Sequence, residues 1–106
     1  MVTKQDIQAL ADRIAAEFNP QKITLFGSRA YGTPNEDSDV DLLVVMDVGE
    51  NRLNTGAEVL GRVHPRTFAV DLLIRTPDEM RWRYVGGDPI IGEAVDNGRV
   101  LYEVAT

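Results

Sequence analysis

The sequence contains no cysteine, and this absence excludes disulfide bonds and zinc sites built on thiolates. It also has no apolar run close to the roughly 20 residues that a membrane-spanning helix requires. The N-terminal stretch is polar and amphipathic, which is not the pattern of a signal peptide. Together these absences favour a cytoplasmic protein that does not associate with a membrane.

Positive charge is scarce as well. The chain has 11 Lys and Arg residues against 17 Asp and Glu residues, which gives a formal net charge of −6. Binding to a nucleic acid depends on cationic side chains that neutralise phosphates, so this balance argues against free-standing, non-specific nucleic-acid binding. It is compatible with a small anionic ligand whose charge is balanced by metal ions.

The length and the residue pattern predict one small domain with a single core, over residues 1–106. Hydrophobic residues make up 43% of the chain and charged residues 26%, as in globular proteins. The elements read in the order helix, strand, loop, strand, helix, strand, helix, helix. This order predicts an α/β (α+β) fold in which helices pack on a small sheet.

Periodicity and capping residues give the bounds of these elements. Apolar residues from Ile7 to Phe18 recur at helical spacing, with Thr3 as N-cap and Pro20 as a stop. Strands are predicted over 22–26, 40–46 and 68–74, a loop over 33–38, helices over 51–63, 76–85 and 88–97, and a tail over 99–104 that could form a short strand.

Three large side chains, Met80, Trp82 and Tyr84, fall within the helix predicted to begin at Thr76. Packing into the core is the default expectation for them. An exposed apolar face that contacts a partner protein is the alternative.

Two aspartates stand at the entrance of an apolar strand. Asp39 and Asp41 point to the same face, with Cα atoms about 7 Å apart, because side chains alternate along a strand. Asp71 begins a similar apolar strand and would join them if the two strands are neighbours. Three such carboxylates fit two Mg²⁺ ions about 3.5 to 4 Å apart, as in phosphoryl or nucleotidyl displacement. A solvated strand end is the alternative for each.

A calcium-binding loop is a further interpretation, because Asp37, Asp39 and Asp41 match its first, third and fifth positions. That loop requires glycine at its sixth position and glutamate at its twelfth. Leu42 and Val48 occupy those positions, so the pattern excludes a calcium loop.

A glycine-serine turn follows the first predicted strand. Gly27 allows a close backbone approach, Ser28 offers a hydroxyl and Arg29 adds a cation. A phosphate held by this turn would lie near the acidic residues if the two strands are adjacent. An ordinary tight turn is the alternative.

One combined pattern consists of Gly27-Ser28, ten further residues and then Asp39-x-Asp41. It also includes Ala30, Gly32 and Ser38. The pattern resembles the signature of the polymerase-beta-like nucleotidyltransferase superfamily. The short chain is similar to the minimal nucleotidyltransferase (MNT) group of prokaryotes. This resemblance implies a mixed sheet flanked by helices, with Asp39, Asp41 and Asp71 as catalytic, Mg²⁺-binding residues. It also implies that Gly27, Ser28 and Arg29 bind the nucleotide.

The resemblance implies a specific function too. Members of the MNT group are often encoded beside a small helical HEPN protein, as antitoxin and toxin. The expected reaction is Mg²⁺-dependent transfer of AMP from ATP to the hydroxyl of a tyrosine in the HEPN toxin. The chain would then be the antitoxin of a type VII-like toxin–antitoxin pair.

One departure from the family pattern keeps alternatives open. Many relatives carry a second arginine where this chain has Tyr31, and the loss of that positive charge could weaken nucleotide binding. The first alternative is therefore an antitoxin that neutralises its toxin by binding alone. The second is a transferase that acts on a small molecule such as an aminoglycoside, although such enzymes usually carry an extra helical domain.

Overall fold

The structure is a computed structural model that describes residues 2–32, 39–47, 59, 61 and 68–104. The loop predicted over 33–38 and the helix predicted over 51–63 lie outside these ranges, apart from Val59 and Gly61, whose backbone is helical. The other described elements, in chain order, are α1 (Lys4–Phe18), β1 (Lys22–Phe26), α2 (Ser28–Tyr31), β2 (Val40–Val45), β3 (Val70–Arg75), α3 (Pro77–Val85), α4 (Pro89–Asn97) and β4 (Arg99–Glu103).

The strands form one mixed sheet in the order β3-β2-β1-β4. β1 pairs antiparallel with both β2 and β4, whereas β2 and β3 run parallel. The predicted fold class, a small mixed sheet flanked by helices, is confirmed. The tail predicted over 99–104 contributes the strand β4 at one edge of this sheet.

The main core lies between α1 and one face of the sheet, which we call the α1 face. Side chains at alternate positions of β1 and β2 point to this face and pack against the apolar stripe of α1. The buried residues of α1, β1 and β2 in this cluster are Ile7, Leu10, Ala11, Ile14, Ile23, Leu25, Val40, Leu42 and Val44.

The opposite face of the sheet, which we call the α4 face, packs against α4. Leu43 is buried there together with Ile91 and Ala94 of α4, and Phe26 packs against this smaller cluster. Asp41 lies on the α4 face as well, because it stands two residues before Leu43 in β2. The α1 face therefore holds the larger core, and the α4 face carries the acidic residue.

The helices begin where the capping residues predict. Thr3 and Asp6 form a capping box on α1, and Thr76 and Glu79 form another on α3. The side chain of Asp88 accepts hydrogen bonds from the first backbone N–H groups of α4. Of the helices described, none combines the length and apolarity needed to cross a bilayer.

The expectation that the three large side chains of α3, Met80, Trp82 and Tyr84, pack into the core is wrong for two of them. Trp82 is 58% exposed and Tyr84 is 44% exposed, whereas Met80 packs against the cluster on the α4 face. The buried position of α3 is taken by Glu79, whose carboxylate accepts the Thr76 N–H in the capping box. The Trp82 ring instead lies under the guanidinium of Arg83, 4.8 Å from the ring centre.

The packing of β2 against α1 predicts a large effect of truncation at Leu42, which is fully buried. Leu42→Ala should lower the free energy of unfolding by about 2 to 5 kcal/mol, because it removes buried apolar atoms and leaves a cavity. Denaturant unfolding measures this loss. Val95→Ala, at a 47% exposed position of α4, is the control and should cost far less. Equal losses in the two variants would contradict the placement of Leu42 in the core.

Candidate active site

Asp41 and Asp71 lie side by side in the sheet. Because β2 and β3 are parallel neighbours, Asp41 is the direct register partner of Asp71. Neighbouring strands are about 4.8 Å apart, so the two carboxyl groups start from adjacent backbone positions. The strands are neighbours, which was the condition for Asp71 to join the other two aspartates. Asp39 stands just before β2 and is exposed.

The charges of these residues act on one another. The pKa of Asp41 is raised above its ordinary value, first by partial burial and then by the negative charges of Asp71 and Asp39. A hydrogen bond with the Asp71 carboxyl acts in the same direction. The ionised form of Asp41 is therefore disfavoured in the folded protein unless a cation or a proton offsets the repulsion.

Gly27 lies directly against the Asp41 carboxylate. A Cβ atom added to Gly27 would clash with Asp41 Oδ2 and lie 3.1 Å from Asp41 Cγ. The backbone at Gly27 also has a φ of +77°, a conformation that residues with a side chain rarely adopt. The register places Phe26, the preceding residue, opposite Asp41 in β2. Glycine is thus required here by both its backbone conformation and the close carboxylate.

Ser28 begins the single helical turn α2 at the end of β1. This turn is fixed by backbone hydrogen bonds from Ala30 and Tyr31 N–H to the Gly27 carbonyl, at 3.0 and 3.2 Å. Since β1 pairs with β2, the turn lies beside the strand that carries Asp41. The two strands are thus adjacent, which was the condition for a phosphate held by this turn to lie near the acidic residues.

A cavity of about 370 Å³ opens beside the acidic pair. Asp41 and Asp71 contribute carboxylates to it, and the other lining residues are apolar. These apolar residues are Phe26, Leu72, Leu73 and Ile90. A small apolar cavity with a few convergent polar groups is the usual form of a ligand site.

Arg29 lines a different cavity. Its side chain borders a space shared with Lys4 and Arg99, and this space is also lined by Leu25 of the α1 face. The cavity beside Asp41 and Asp71 is lined by Phe26 of the α4 face instead. Arg29 therefore does not line the cavity beside Asp41 and Asp71. Its expected contact with the nucleotide stays a prediction.

Tyr31 and Glu93 form a pair that the sequence pattern did not indicate. The Tyr31 hydroxyl donates a hydrogen bond of 2.9 Å to Glu93 Oε2. Burial raises the pKa of Tyr31, the Gly27 backbone N–H opposes this effect, and the charges of Glu93 and Asp41 add to it. The hydroxyl thus lies between the Gly27 turn and α4. Glu93 is 62 residues away in sequence, so no local signal could have identified it.

The donor set matches the chemistry of Mg²⁺, which prefers carboxylate oxygens. Asp41 and Asp71 present theirs side by side, and the charge of Asp39 reaches Asp41. In the part of the chain that the structure describes, no group of three His, Cys, Asp or Glu side chains forms a ready-made metal cage. Paired carboxylates such as Asp41 and Asp71 suit a metal that is also held by its substrate and water.

Comparison with known proteins is consistent with this geometry. A protein-family model described as a nucleotidyltransferase domain matches residues 7–100. A search of curated protein sequences found no significant match. The structure is similar to that of a protein described as a nucleotidyltransferase from Sulfolobus solfataricus, with a TM-score of 0.64 and 19% identity. That alignment covers 93% of this chain and 78% of the other chain.

Two similar structures come from toxin–antitoxin complexes. One is a toxin–antitoxin with AMP-PNP, matched with a TM-score of 0.59 and 22% identity over 92% of this chain and 73% of the other. The second is a mutant of the toxin–antitoxin MntA-HpeT that carries two Asp-to-Glu substitutions. It has a TM-score of 0.54 and 19% identity, and the alignment covers 97% of this chain and 75% of the other.

The raised pKa of Asp41 predicts that this residue opposes folding when no metal is bound. A raised pKa means that the folded state holds the proton more tightly, so stability falls as the pH rises from 3.8 through the folded-state pKa. Asp41→Asn removes this loss. In EDTA the variant should unfold at a higher temperature than the wild type at pH 7, with a smaller difference at pH 3.

Thermal unfolding followed across this pH range measures the difference between the two proteins. Asp47→Asn is the matched control, because Asp47 is exposed just beyond the other end of β2. It should follow the wild type at both pH values. A lower unfolding temperature for Asp41→Asn at pH 7 would contradict the repulsion inferred for the acidic residues.

The fit of Gly27 against Asp41 predicts that Gly27→Ala is destabilising. The positive φ alone should cost about 1 to 3 kcal/mol, and the clash with Asp41 Oδ2 should add to it. Denaturant unfolding measures the sum. Adding Asp41→Ala to this variant should recover the part due to the clash.

Gly92→Ala serves as the matched control for this substitution. Gly92 lies in α4, and a Cβ added there meets nothing within 4 Å. This variant should be as stable as the wild type or slightly more stable, because alanine favours helix more than glycine does. A Gly27→Ala variant that is as stable as Gly92→Ala would show that the turn does not lie against Asp41.

Proposed function

Because the chain belongs to the nucleotidyltransferase domain family, we propose that it transfers AMP from ATP to a hydroxyl group of a partner protein. The observation that carries this proposal is the pairing of Asp41 with Asp71 beneath the Gly27 backbone. Carboxylates brought together at one end of a sheet are suited to hold the cations of a displacement at phosphorus.

The cofactor in this proposal is Mg²⁺, as two ions held by Asp39, Asp41 and Asp71. When bound, Mg²⁺ neutralises phosphate charge and polarises the phosphorus under attack. The raised pKa of Asp41 supports this role, since the repulsion around it is what a cation would relieve. The exposed side chain of Asp39 is close enough to act on Asp41 electrostatically and completes the set.

The proposed reaction is a single displacement. The acceptor hydroxyl oxygen forms a bond to the α-phosphorus of ATP, while the bond from that phosphorus to the oxygen bridging to the β-phosphate breaks. Pyrophosphate leaves, and the proton of the hydroxyl passes to the carboxylate of Asp71, which is exposed and open to an acceptor. This is the role of a general base positioned at the attacking oxygen.

Gly27 and Ser28 are the proposed contacts to the triphosphate. The absence of a side chain at Gly27 lets phosphate oxygens approach the backbone next to Asp41, and the Ser28 hydroxyl adds a donor. In this proposal Arg29 supports the same turn from the α1 face, where its side chain borders the second cavity.

We further propose that the acceptor is a tyrosine of a HEPN toxin encoded nearby, and that this chain is the antitoxin. Two of the similar structures belong to toxin–antitoxin complexes, which supports such a partner. The cavity beside the acidic pair supports an aromatic acceptor. Phe26 and Ile90 give it apolar walls, and two carboxylates lie within it.

A second candidate function is neutralisation of the toxin by binding alone. The hydrogen bond between Tyr31 and Glu93 favours this candidate, because it holds a carboxylate near the turn that would receive the triphosphate. A negative charge near this turn repels phosphate. Many relatives instead carry an additional arginine at the position of Tyr31. The two candidates differ in whether the acidic residues are needed for neutralisation.

Incubation with α-labelled ATP and Mg²⁺, with and without the product of the neighbouring gene, tests transfer directly. We expect the intact mass of the partner to rise by whole adenylate units only when both proteins are present. The Asp39→Asn/Asp41→Asn variant should lose at least about a hundredfold in rate, because the proposed metal site carries the charge stabilisation of the reaction.

Asp47→Asn is the matched control and should transfer AMP as fast as the wild type, because Asp47 lies at the far end of β2. Undiminished transfer by the double variant would contradict the proposed mechanism. A double variant that still silences the toxin as well as the wild type would instead support neutralisation by binding alone.

A further inference from the structure

A second cavity, of about 340 Å³, lies between α1 and β4. Lys4 in the first turn of α1, Arg29 in α2 and Arg99 in β4 bring three cationic side chains to its wall. We call this space the basic cavity. Its apolar lining consists of Ile7, Leu25 and Leu101.

The concentration of positive charge in the basic cavity is unusual for this chain. The whole chain has 11 Lys and Arg residues and a net charge of −6, yet three of those 11 border one small space. Among the described residues that line it, none is acidic. Cationic side chains gathered around one cavity give it a positive potential, which attracts anions.

Lys4 lies in the first turn of α1, where the helix dipole acts on its charge. A cation in the first turn of a helix is opposed by the helix dipole, which favours negative charge at that end. Asp6 in the same turn offsets part of this effect, and the cations Arg29 and Arg99 at the wall of the cavity add to it. An anion bound beside Lys4 would place negative charge at this end of α1, which the helix dipole favours.

The lining of the basic cavity also limits the kind of anion. Its apolar residues are aliphatic, so none of them offers an aromatic ring on which a nucleobase could stack. The Gln8 amide nitrogen already donates to the Leu101 carbonyl at 2.9 Å and to Asp12 at 3.0 Å. Gln5 is the other neutral polar residue of the lining, so the three cations supply most of the polar contacts. This lining suits a compact, highly charged anion better than a nucleoside.

The basic cavity is separate from the acidic site. Leu25 lines the former and belongs to the α1 face, whereas the next residue, Phe26, lines the acidic cavity and belongs to the α4 face. The sheet therefore stands between the two. The only residue of the glycine-serine-arginine turn that borders the basic cavity, within the described ranges, is Arg29.

We propose that the basic cavity is a binding site for a compact polyphosphate anion, held by Lys4, Arg29 and Arg99. The site does not require metal, and its occupancy does not depend on the proposed transfer reaction. Because Arg29 directly follows Ser28, an anion bound there would contact the turn that we assign to the triphosphate, from the other face of the sheet.

Titration of the protein with pyrophosphate in EDTA tests this site without the metal-dependent one. Isothermal calorimetry gives the affinity, and ¹⁵N-labelled protein shows where the anion binds. We expect the largest amide shifts around Lys4, Gln8, Arg99 and Leu101, and smaller ones at Asp41 and Asp71. Largest shifts at Asp41 and Asp71, or no binding at millimolar pyrophosphate, would overturn the proposal.

Two double variants that each remove two positive charges distinguish binding in the basic cavity from a general effect of net charge. Lys4→Gln/Arg99→Gln should weaken pyrophosphate binding at least about tenfold, because it removes two charge-assisted contacts. Lys22→Gln/Arg81→Gln removes two cations that pair with Glu103 and Asp78 outside the cavity and should bind as the wild type does. Equal weakening in both variants would overturn the assignment to the basic cavity.

The Asp39→Asn/Asp41→Asn variant separates this proposal from the proposed function. It should keep the wild-type affinity for pyrophosphate in EDTA even though it loses transfer. Loss of pyrophosphate binding in this variant would overturn the second site. Failure of the transfer assay alone leaves the calorimetric expectation for the basic cavity unchanged.

Discussion

The structure of the site depends on the contact between a glycine backbone and a carboxylate. Gly27 adopts a positive φ and lies so close to Asp41 that no side chain fits between them. This contact fixes the turn after β1 against β2, and the parallel pairing of β2 with β3 then adds Asp71. One close approach between a glycine backbone and a carboxylate therefore accompanies the meeting of the turn with both acids.

The acids oppose folding, and the rest of the domain has to offset that effect. Burial and neighbouring negative charge disfavour the ionised form of Asp41. On the opposite side of the same strand, Val40, Leu42 and Val44 are fully buried against the α1 face. The strand thus places a stabilising row of apolar side chains on one face and an electrostatically costly residue on the other, as is common at functional sites.

The two cavities lie on opposite faces of the sheet and differ in the charge of their described lining residues. The α4 face carries Asp41 and the acidic cavity, and Glu93 of α4 adds a further carboxylate through its hydrogen bond with Tyr31. The basic cavity lies toward the α1 face, at the same end of β1. The turn from Gly27 to Tyr31 lies between the two cavities. A ligand in the basic cavity would contact Arg29 of this turn, and a ligand in the acidic cavity would contact Asp41, which lies against Gly27.

Sequence patterning by itself determined the local structure. The capping boxes of α1 and α3, the helix start at Asp88 and the strand that carries Asp41 all follow from neighbouring residues, because capping and alternation are short-range effects. The pair Asp39 and Asp41, set ten residues beyond Gly27-Ser28, indicated a candidate site and was sufficient to predict the nucleotidyltransferase family. Only the tertiary structure decided the register that sets Asp41 beside Asp71, the exposure of Trp82 and the contact of Tyr31 with Glu93. These features join residues that are far apart in sequence, and the packing of the sheet against its helices determines which of them meet.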